Sequence, residues 1–385
     1  MPGSAAETFR VALRLGVTSF GGPVAHLGYF REEYVRRRRW LDDEQYAELV
    51  GLCQVLPGPT SSQVGVGVGF ARAGGAGALA AWLGFTLPSA LVMGGFAALA
   101  LGLDVSGAAW VQALKLVAVA VVAAAVIEMG SRLARTRRTA AVALAAFLLV
   151  VLTDRPYSAP LALVLTGVAG VFLFADAAPR GPTMAPVSVS RRAGLLSLGL
   201  FGMLFLLAPA LAALGELGET AAAMYRAGAL VFGGGHVVLP LLQSEVVPDL
   251  MDQDTFLTGY GVAQAVPGPL FSFGTYVGEV SAGWTGAVVA TVLIFLPGVL
   301  LLLGLLPFWS AVRDRRLARS GLVAVNAAVV GVLAAALYDP IITGTVHTWR
   351  DVAFAGALFL GLQLGRLPSW VVVLAALAAS PVLAL

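Results

Sequence analysis

The chain has 385 residues, 59% hydrophobic and 12% charged, with a formal net charge of +3. Soluble domains carry about 25% charged residues, so soluble enzymes, nucleic-acid-binding domains and secreted disulfide scaffolds are excluded. Residues 73–103 and 280–312 contain no Asp, Glu, Lys or Arg, and roughly 20 apolar residues suffice to cross a bilayer core.

In chain order, Pro2, Gly3 and Ser4 precede Glu7, Arg10 and Arg14. No short apolar stretch with a small-residue cleavage site follows, so no cleaved signal peptide is expected. Phe20-Gly21-Gly22-Pro23 and then the basic run Arg31–Arg39 come next. The uncharged run Leu49–Ala71 is interrupted by Pro57-Gly58-Pro59, and Ala73–Leu103 ends at Asp104. The apolar stretch Ala108–Ile127 holds Lys115, the sole lysine, and is followed by Glu128 and the basic Arg132–Arg138. After Pro156–Ala175 and a Pro/Ala/Ser-rich segment, the uncharged runs are Ala193–Gly215, Ala227–Ser244, Thr255–Gly278 and Ser320–Tyr338. Continuous rather than alternating apolar runs indicate helices and not an outer-membrane barrel. The single Cys53 excludes an internal disulfide and is read as a small packing residue. No metal site and no cofactor are expected.

The order of motifs repeats after about 210 residues. Leu13-Arg14-Leu15-Gly16 and Phe20-Gly21-Gly22-Pro23 return as Tyr225-Arg226-Ala227-Gly228 and Phe232-Gly233-Gly234-Gly235. Glu33 returns as Glu245, and Gln54-Val55-Leu56-Pro57-Gly58-Pro59 as Gln264-Ala265-Val266-Pro267-Gly268-Pro269. Leu87-Pro88 returns as Leu296-Pro297. The chain reads as a tandem duplication: a first repeat over 1–175, a linker with one inverting helix over 176–220, and a second repeat over 221–385.

Cytoplasmic loops carry the excess of Lys and Arg. Arg31–Arg39 and Arg132–Arg138 should face the cytoplasm, with Asp104 outside. In the second half the signs swap: Glu245, Asp249, Asp252 and Asp254 replace the first basic loop, and Arg313, Arg315, Arg316 and Arg319 replace the Asp104 loop. The two halves are therefore expected upside down relative to each other, with Ala193–Gly215 as the crossing between them. Parity makes the segments broken at Pro57-Gly58-Pro59 and Pro267-Gly268-Pro269 re-entrant pairs of half-helices. The fold expected is an all-α polytopic membrane protein of two inverted-topology repeats, with about nine to ten spans.

Irregular backbone at membrane depth belongs where it is buried in protein or lines a wet cavity. Paired Gly/Pro interruptions in inverted repeats point to a transport site. A half-helix starting after Pro59 or Pro269 presents free N–H groups and a partial positive charge, which suits an anion. Thr60, Ser61, Ser62 and Ser272 add hydroxyl donors, and Gln54 and Gln264 add repeated amides. Glycine at 21, 22, 58, 233, 234 and 268 allows close backbone approach. Arg14 and Arg226 precede the two Phe-Gly-Gly motifs, and a guanidinium fork matches a tetrahedral oxyanion. Both arginines also fit a snorkelling role, and the prolines a packing kink. Glu33 and Glu245 either carry protons or hold the Arg14 and Arg226 side chains. Lys115 and Glu128 fit ion pairs as well as a coupling role. His26, His236 and His347 are read as structural or loop residues.

This combination resembles the chromate ion transporter family in its long, two-domain form. The resemblance rests on Phe20-Gly21-Gly22-Pro23, the Gln54–Pro59 motif, Phe232-Gly233-Gly234-Gly235-His236 and the Gln264–Pro269 motif. It implies export of chromate, a sulfate mimic, across a bacterial or archaeal inner membrane, giving chromate resistance. The residues themselves say only "anion". A carrier for sulfate or another oxyanion, including uptake, stays open, as do an anion channel and a homodimer. An intramembrane enzyme would need a nucleophile–base set or a metal motif, and neither occurs.

Overall fold

The structure is a computed structural model and describes residues 3–101, 108–153, 155, 157–174, 189–231, 238–309 and 316–384. Among the described residues the chain forms 15 α-helices and no strand. Asp104, Arg313, Arg315, most of the linker, and Phe232–Val237 with Gly233, Gly234 and His236 lie outside the described residues.

The first half runs α1 (Ala5–Thr18), α2 (Gly22–Phe30), a π-helical turn (Arg31–Arg37), α3 (Asp43–Val55), α4 (Thr60–Leu101), α5 (Ala109–Leu133), α6 (Arg137–Thr153) and α7 (Ser158–Leu173). The rest runs α8 (Arg191–Ala212), α9 (Glu216–Leu230), α10 (Val238–Val246), α11 (Gln253–Ala263), α12 (Phe273–Leu305), α13 (Arg316–Ala336), α14 (Trp349–Gln363) and α15 (Ser369–Ala379). Local chemistry sets several starts. Asp42 and Gln45 form a capping box on α3, with bonds of 2.8 and 3.1 Å, and Asp252 caps α11 through the Thr255 N–H at 2.9 Å. Both devices satisfy orphan first-turn donors.

Among the described residues, five helical stretches are long and apolar enough to cross a membrane: Thr60–Ala100, Ala109–Leu133, Arg191–Ala212, Leu270–Phe308 and Ser320–Ile342. On α8 the side chains of Leu195, Leu196, Met203 and Leu206 all face outward. An apolar helix with an apolar outer face needs lipid around it. The protein is a multi-pass membrane protein.

α4 and α12 each fold back on themselves. Ala73 and Gly74 (φ/ψ −145/29 and 61/−150) break α4, and Ala282 and Gly283 (−144/28 and 61/−162) break α12. A positive φ with ψ near −150° is essentially open only to glycine. Gly69 lies against Gly77, and Gly278 against Gly286, so closely that neither pair has room for a Cβ. Two segments distant in sequence thus adopt the same turn with the same small-residue crossing.

The chain divides into two compact units that interleave the sequence halves. The first comprises Met1–Gly95, Pro179–Val238 and Pro267–Arg315; the second comprises Phe96–Ala178, Leu239–Val266 and Arg316–Leu385. In the first unit, Leu15, Phe30, Leu49, Leu52, Cys53 and Phe85 belong to a core shared with Leu302 and Leu306, and α12 packs along α9 and α8. In the second, α13 packs on α6 and α7, and α5 anchors a core of Leu114, Val117, Val121, Val373 and Ala376.

Candidate functional site

Both Pro-Gly-Pro breaks belong to the first compact unit. Each is tied to the end of the first helix of the opposite half. The Gly58 N–H donates to the Val231 carbonyl at 2.7 Å, and the Gly268 N–H donates to the Ser19 carbonyl at 3.0 Å. Ser19 ends α1 and Val231 ends α9, so the two bonds are counterparts. Gly58 (φ 115°) and Gly268 (φ 96°) are left-handed, a region that favours glycine. A Cβ on Gly58 would lie 2.9 Å from the Gly298 Cα, and one on Gly268 would lie 3.2 Å from the Phe85 carbonyl oxygen. These glycine amides are consequently committed to protein carbonyls. An anion would be held by the helix start beyond them.

That start differs between the halves. α4 begins directly after Pro59 with Thr60, Ser61, Ser62 and Gln63, all buried. The Thr60 hydroxyl donates to the Cys53 carbonyl at 3.4 Å, and Ser61 Oγ lies 3.3 Å from His26 Nδ1. Gln63 Nε2 donates to the carbonyls of Pro57 (2.9 Å) and Gly298 (3.0 Å), which fixes the orientation of its amide. After Pro269 comes a 3-10 turn, Leu270–Ser272, and the Ser272 hydroxyl is spent on the Pro269 carbonyl at 2.8 Å.

Near the two breaks, several buried polar atoms lack a hydrogen-bond partner: His26 Nε2, Ser62 Oγ and Gln63 Oε1 by the start of α4, and Ser19 Oγ and Thr86 Oγ1 beside the residues that meet Gly268. Buried polar groups are nearly always satisfied, so each unsatisfied one calls for an explanation. Thr86 follows Phe85, the residue that abuts Gly268, and its carbonyl accepts from Ser89 at 2.9 Å. Orphaned buried groups beside broken backbone make this region the candidate polar site.

The remaining sequence candidates are scattered. Gly21 is exposed and Gly22 half-buried, both with positive φ. Gln54 is exposed on α3, whereas Gln264 is buried in the second unit with its Nε2 unpartnered. Repetition in sequence therefore does not give the two amides one environment, because α3 and α11 pack within different units. Lys115 is ion-paired with Asp254 at 2.8 Å, and Glu128 with Arg132 at 2.9 Å. Glu245 and Arg226 are half-buried. From sequence, Gln63 and Thr86 are not singled out, and His26 reads as structural. The adjoining Thr60-Ser61-Ser62 was the available signal for Gln63.

Arg14 is exposed and lines a cleft of about 250 Å³ with Glu7, Arg10, Val11 and Arg38. Glu7 bridges Arg38 and Arg72, each at 3.3 Å, and both guanidiniums lie over the Trp40 ring. Glu33 is buried and bound by Arg38 at 2.6 Å and Arg37 at 3.4 Å. Burial alone would raise the Glu33 carboxyl, but Arg38, with Arg37 and Arg14 adding, holds it below its ordinary value. Glu33 thus holds arginines, although Arg37 and Arg38 are its direct partners.

The family profile described as chromate transporter matches residues 6–171 and again residues 218–380. A chromate transport protein of Pseudomonas aeruginosa is 28% identical, over 97% of this chain and 91% of the relative. A probable chromate transport protein of Synechococcus elongatus is 30% identical, over 75% and 72%. An uncharacterized transporter of Methanocaldococcus jannaschii is 27% identical, over 86% and 83%. No solved structure matches the chain.

Proposed function

The chain belongs to the chromate transporter family, and from that premise we propose that it is a secondary carrier exporting chromate across the inner membrane. The observation that carries this reading is the reciprocal bonding of the two breaks, Gly58 N–H to Val231 and Gly268 N–H to Ser19. It supports inverted repeats, 1–175 and 221–385, that meet at one buried site. Irregular backbone of this kind, placed symmetrically and lined with polar groups, is how inverted-repeat carriers hold substrate.

Within that site the start of α4 seats the oxyanion, through its first backbone N–H groups and the Ser61 and Ser62 hydroxyls. Arg14 stands in the cleft with Arg10 and Arg38 and gathers anions from the cytoplasm by charge. Arg226 serves the second half. Chromate and sulfate share the tetrahedral, acceptor-only shape that such donors read, so sulfate competes. Export needs no nucleotide: a dianion leaving an inside-negative cell gains roughly 4.6 kcal/mol at 100 mV. Export of this kind confers chromate resistance.

The test is uptake of labelled chromate into inside-out vesicles, with sulfate as competitor. Saturable uptake, accelerated by preloaded sulfate through exchange, is expected. Uptake no faster than in vesicles lacking the protein contradicts the reading. Uptake without saturation or exchange favours an anion channel.

A further inference from the structure

The carrier reading leaves one buried titratable side chain without a task. His26, on α2, is 1% exposed. Its ring meets Phe85 edge-on at 5.4 Å, comes within hydrogen-bonding reach of the Ser19 backbone, and places Nδ1 3.3 Å from Ser61 Oγ. Ser61 stands in the first turn of α4, immediately beyond the first break; the Ser19 carbonyl carries the Gly268 amide of the second. The imidazole is thus in contact with the machinery of both breaks. Its other nitrogen, Nε2, is buried and has no partner.

A core histidine is normally satisfied at both nitrogens when fully buried. With the Ser61 hydroxyl donating to Nδ1, the tautomer assigned here, the single ring proton sits on Nε2, because the partner of one nitrogen sets the tautomer. An N–H with no acceptor in a buried site is costly. The ring also stands where the first N–H groups of α4 lack helical acceptors and the helix end carries partial positive charge. A negatively charged oxygen at that point would satisfy both. In the second half the residue that corresponds to His26 is Val238, so this donor occurs once.

We propose that His26 is a substrate ligand, a neutral imidazole donating Nε2–H to a tetrahedral oxyanion at the start of α4, with Ser61 holding the tautomer. The proposal rests on the oxyanion-carrier reading. A ring fixed as a donor suits an oxygen bearing no proton, so the ligand class is the fully deprotonated oxyanion of the sulfate and chromate type.

The test titrates sulfate into the purified full chain, as wild type, His26→Asn and His26→Gln. An asparagine amide reaches the position of Nδ1 and keeps the Ser61 contact, but offers no donor at Nε2. A glutamine amide reaches the position of Nε2. Losing a hydrogen bond to a charged ligand should weaken sulfate binding by about tenfold or more in His26→Asn, and His26→Gln should stay within about threefold of wild type. Melting temperatures are measured on the same samples; if His26→Asn does not fold, the retained or lost affinity of folded His26→Gln decides. Wild-type affinity in His26→Asn, or equal loss in both variants, overturns the assignment of His26. A wild-type chain that binds neither sulfate nor chromate overturns the carrier reading, and the ligand role with it.

Discussion

The two Pro-Gly-Pro breaks share a backbone and differ in the chemistry that follows it. Gly58 and Gly268 have similar left-handed φ values and equivalent bonds to the opposite half. Beyond Pro59, however, four polar residues in succession are buried. Beyond Pro269 come Leu270, Phe271, Ser272 and Phe273, with both phenylalanines buried and the one hydroxyl bonded to a carbonyl. The backbone geometry is shared where two chain segments approach closely. The side chains differ, with polar groups after the first break and an aromatic scaffold after the second.

The relation between the copies is most severely tested by topology, where the outcome is all or none. With buried Cys53 replaced by alanine, single cysteines introduced at Asp43→Cys and Gln253→Cys should label from opposite sides of the membrane. Labelling from the same side would remove the inversion, and with it the shared site.

Next in size is the backbone itself. Gly58→Ala combines a left-handed φ with a 2.9 Å approach to the Gly298 Cα, whereas Gly268→Ala, also at a left-handed φ, meets Ser89 Oγ at 3.1 Å and the Phe85 carbonyl oxygen at 3.2 Å, both beyond 3.0 Å. A strained position of this kind costs about 1–3 kcal/mol. Both variants should melt earlier than wild type, Gly58→Ala more so. Equal melting temperatures for all three proteins would show that the breaks tolerate a Cβ.

The smallest effect concerns pH. The Glu33 carboxyl lies below its ordinary value when folded. Its stabilisation is therefore complete above the unfolded value, about 4.3, and is lost as pH falls through the folded one. Wild type should lose melting temperature below about pH 4 more steeply than Glu33→Gln. Parallel curves would mean that the arginine contacts contribute nothing to folding.

Much of this organisation was legible in the sequence because proline and glycine constrain backbone directly. Pro57-Gly58-Pro59 and its repeat announce broken helices, and the α-helical character of the long uncharged runs follows from membrane physics. The site was less legible, because repetition specifies a position along a helix but not the face it presents. Gln54 and Gln264 look equivalent, yet one is exposed and the other buried. Arg14 fitted either a substrate ligand or an interface anchor, and it lines a cleft with Glu7, Arg10 and Arg38. His26 fell out of register with His236, which obscured it; its importance comes from a contact with Ser61, 35 residues away, that no local pattern encodes. Gln63 was hidden similarly, since one of its partners, Gly298, is 235 residues distant.

The central claim is that the oxyanion is seated by the first break and not by the second. It is tested most directly by initial rates of chromate uptake into inside-out vesicles carrying wild type, Ser61→Ala/Ser62→Ala or Ser272→Ala, normalised to folded protein. Loss of hydroxyl donors to a charged ligand should raise the half-saturation concentration about tenfold or more in the double variant. Ser272→Ala should leave it unchanged, because that hydroxyl already serves Pro269. An unchanged half-saturation in the double variant, or an equal rise in Ser272→Ala, would contradict the account.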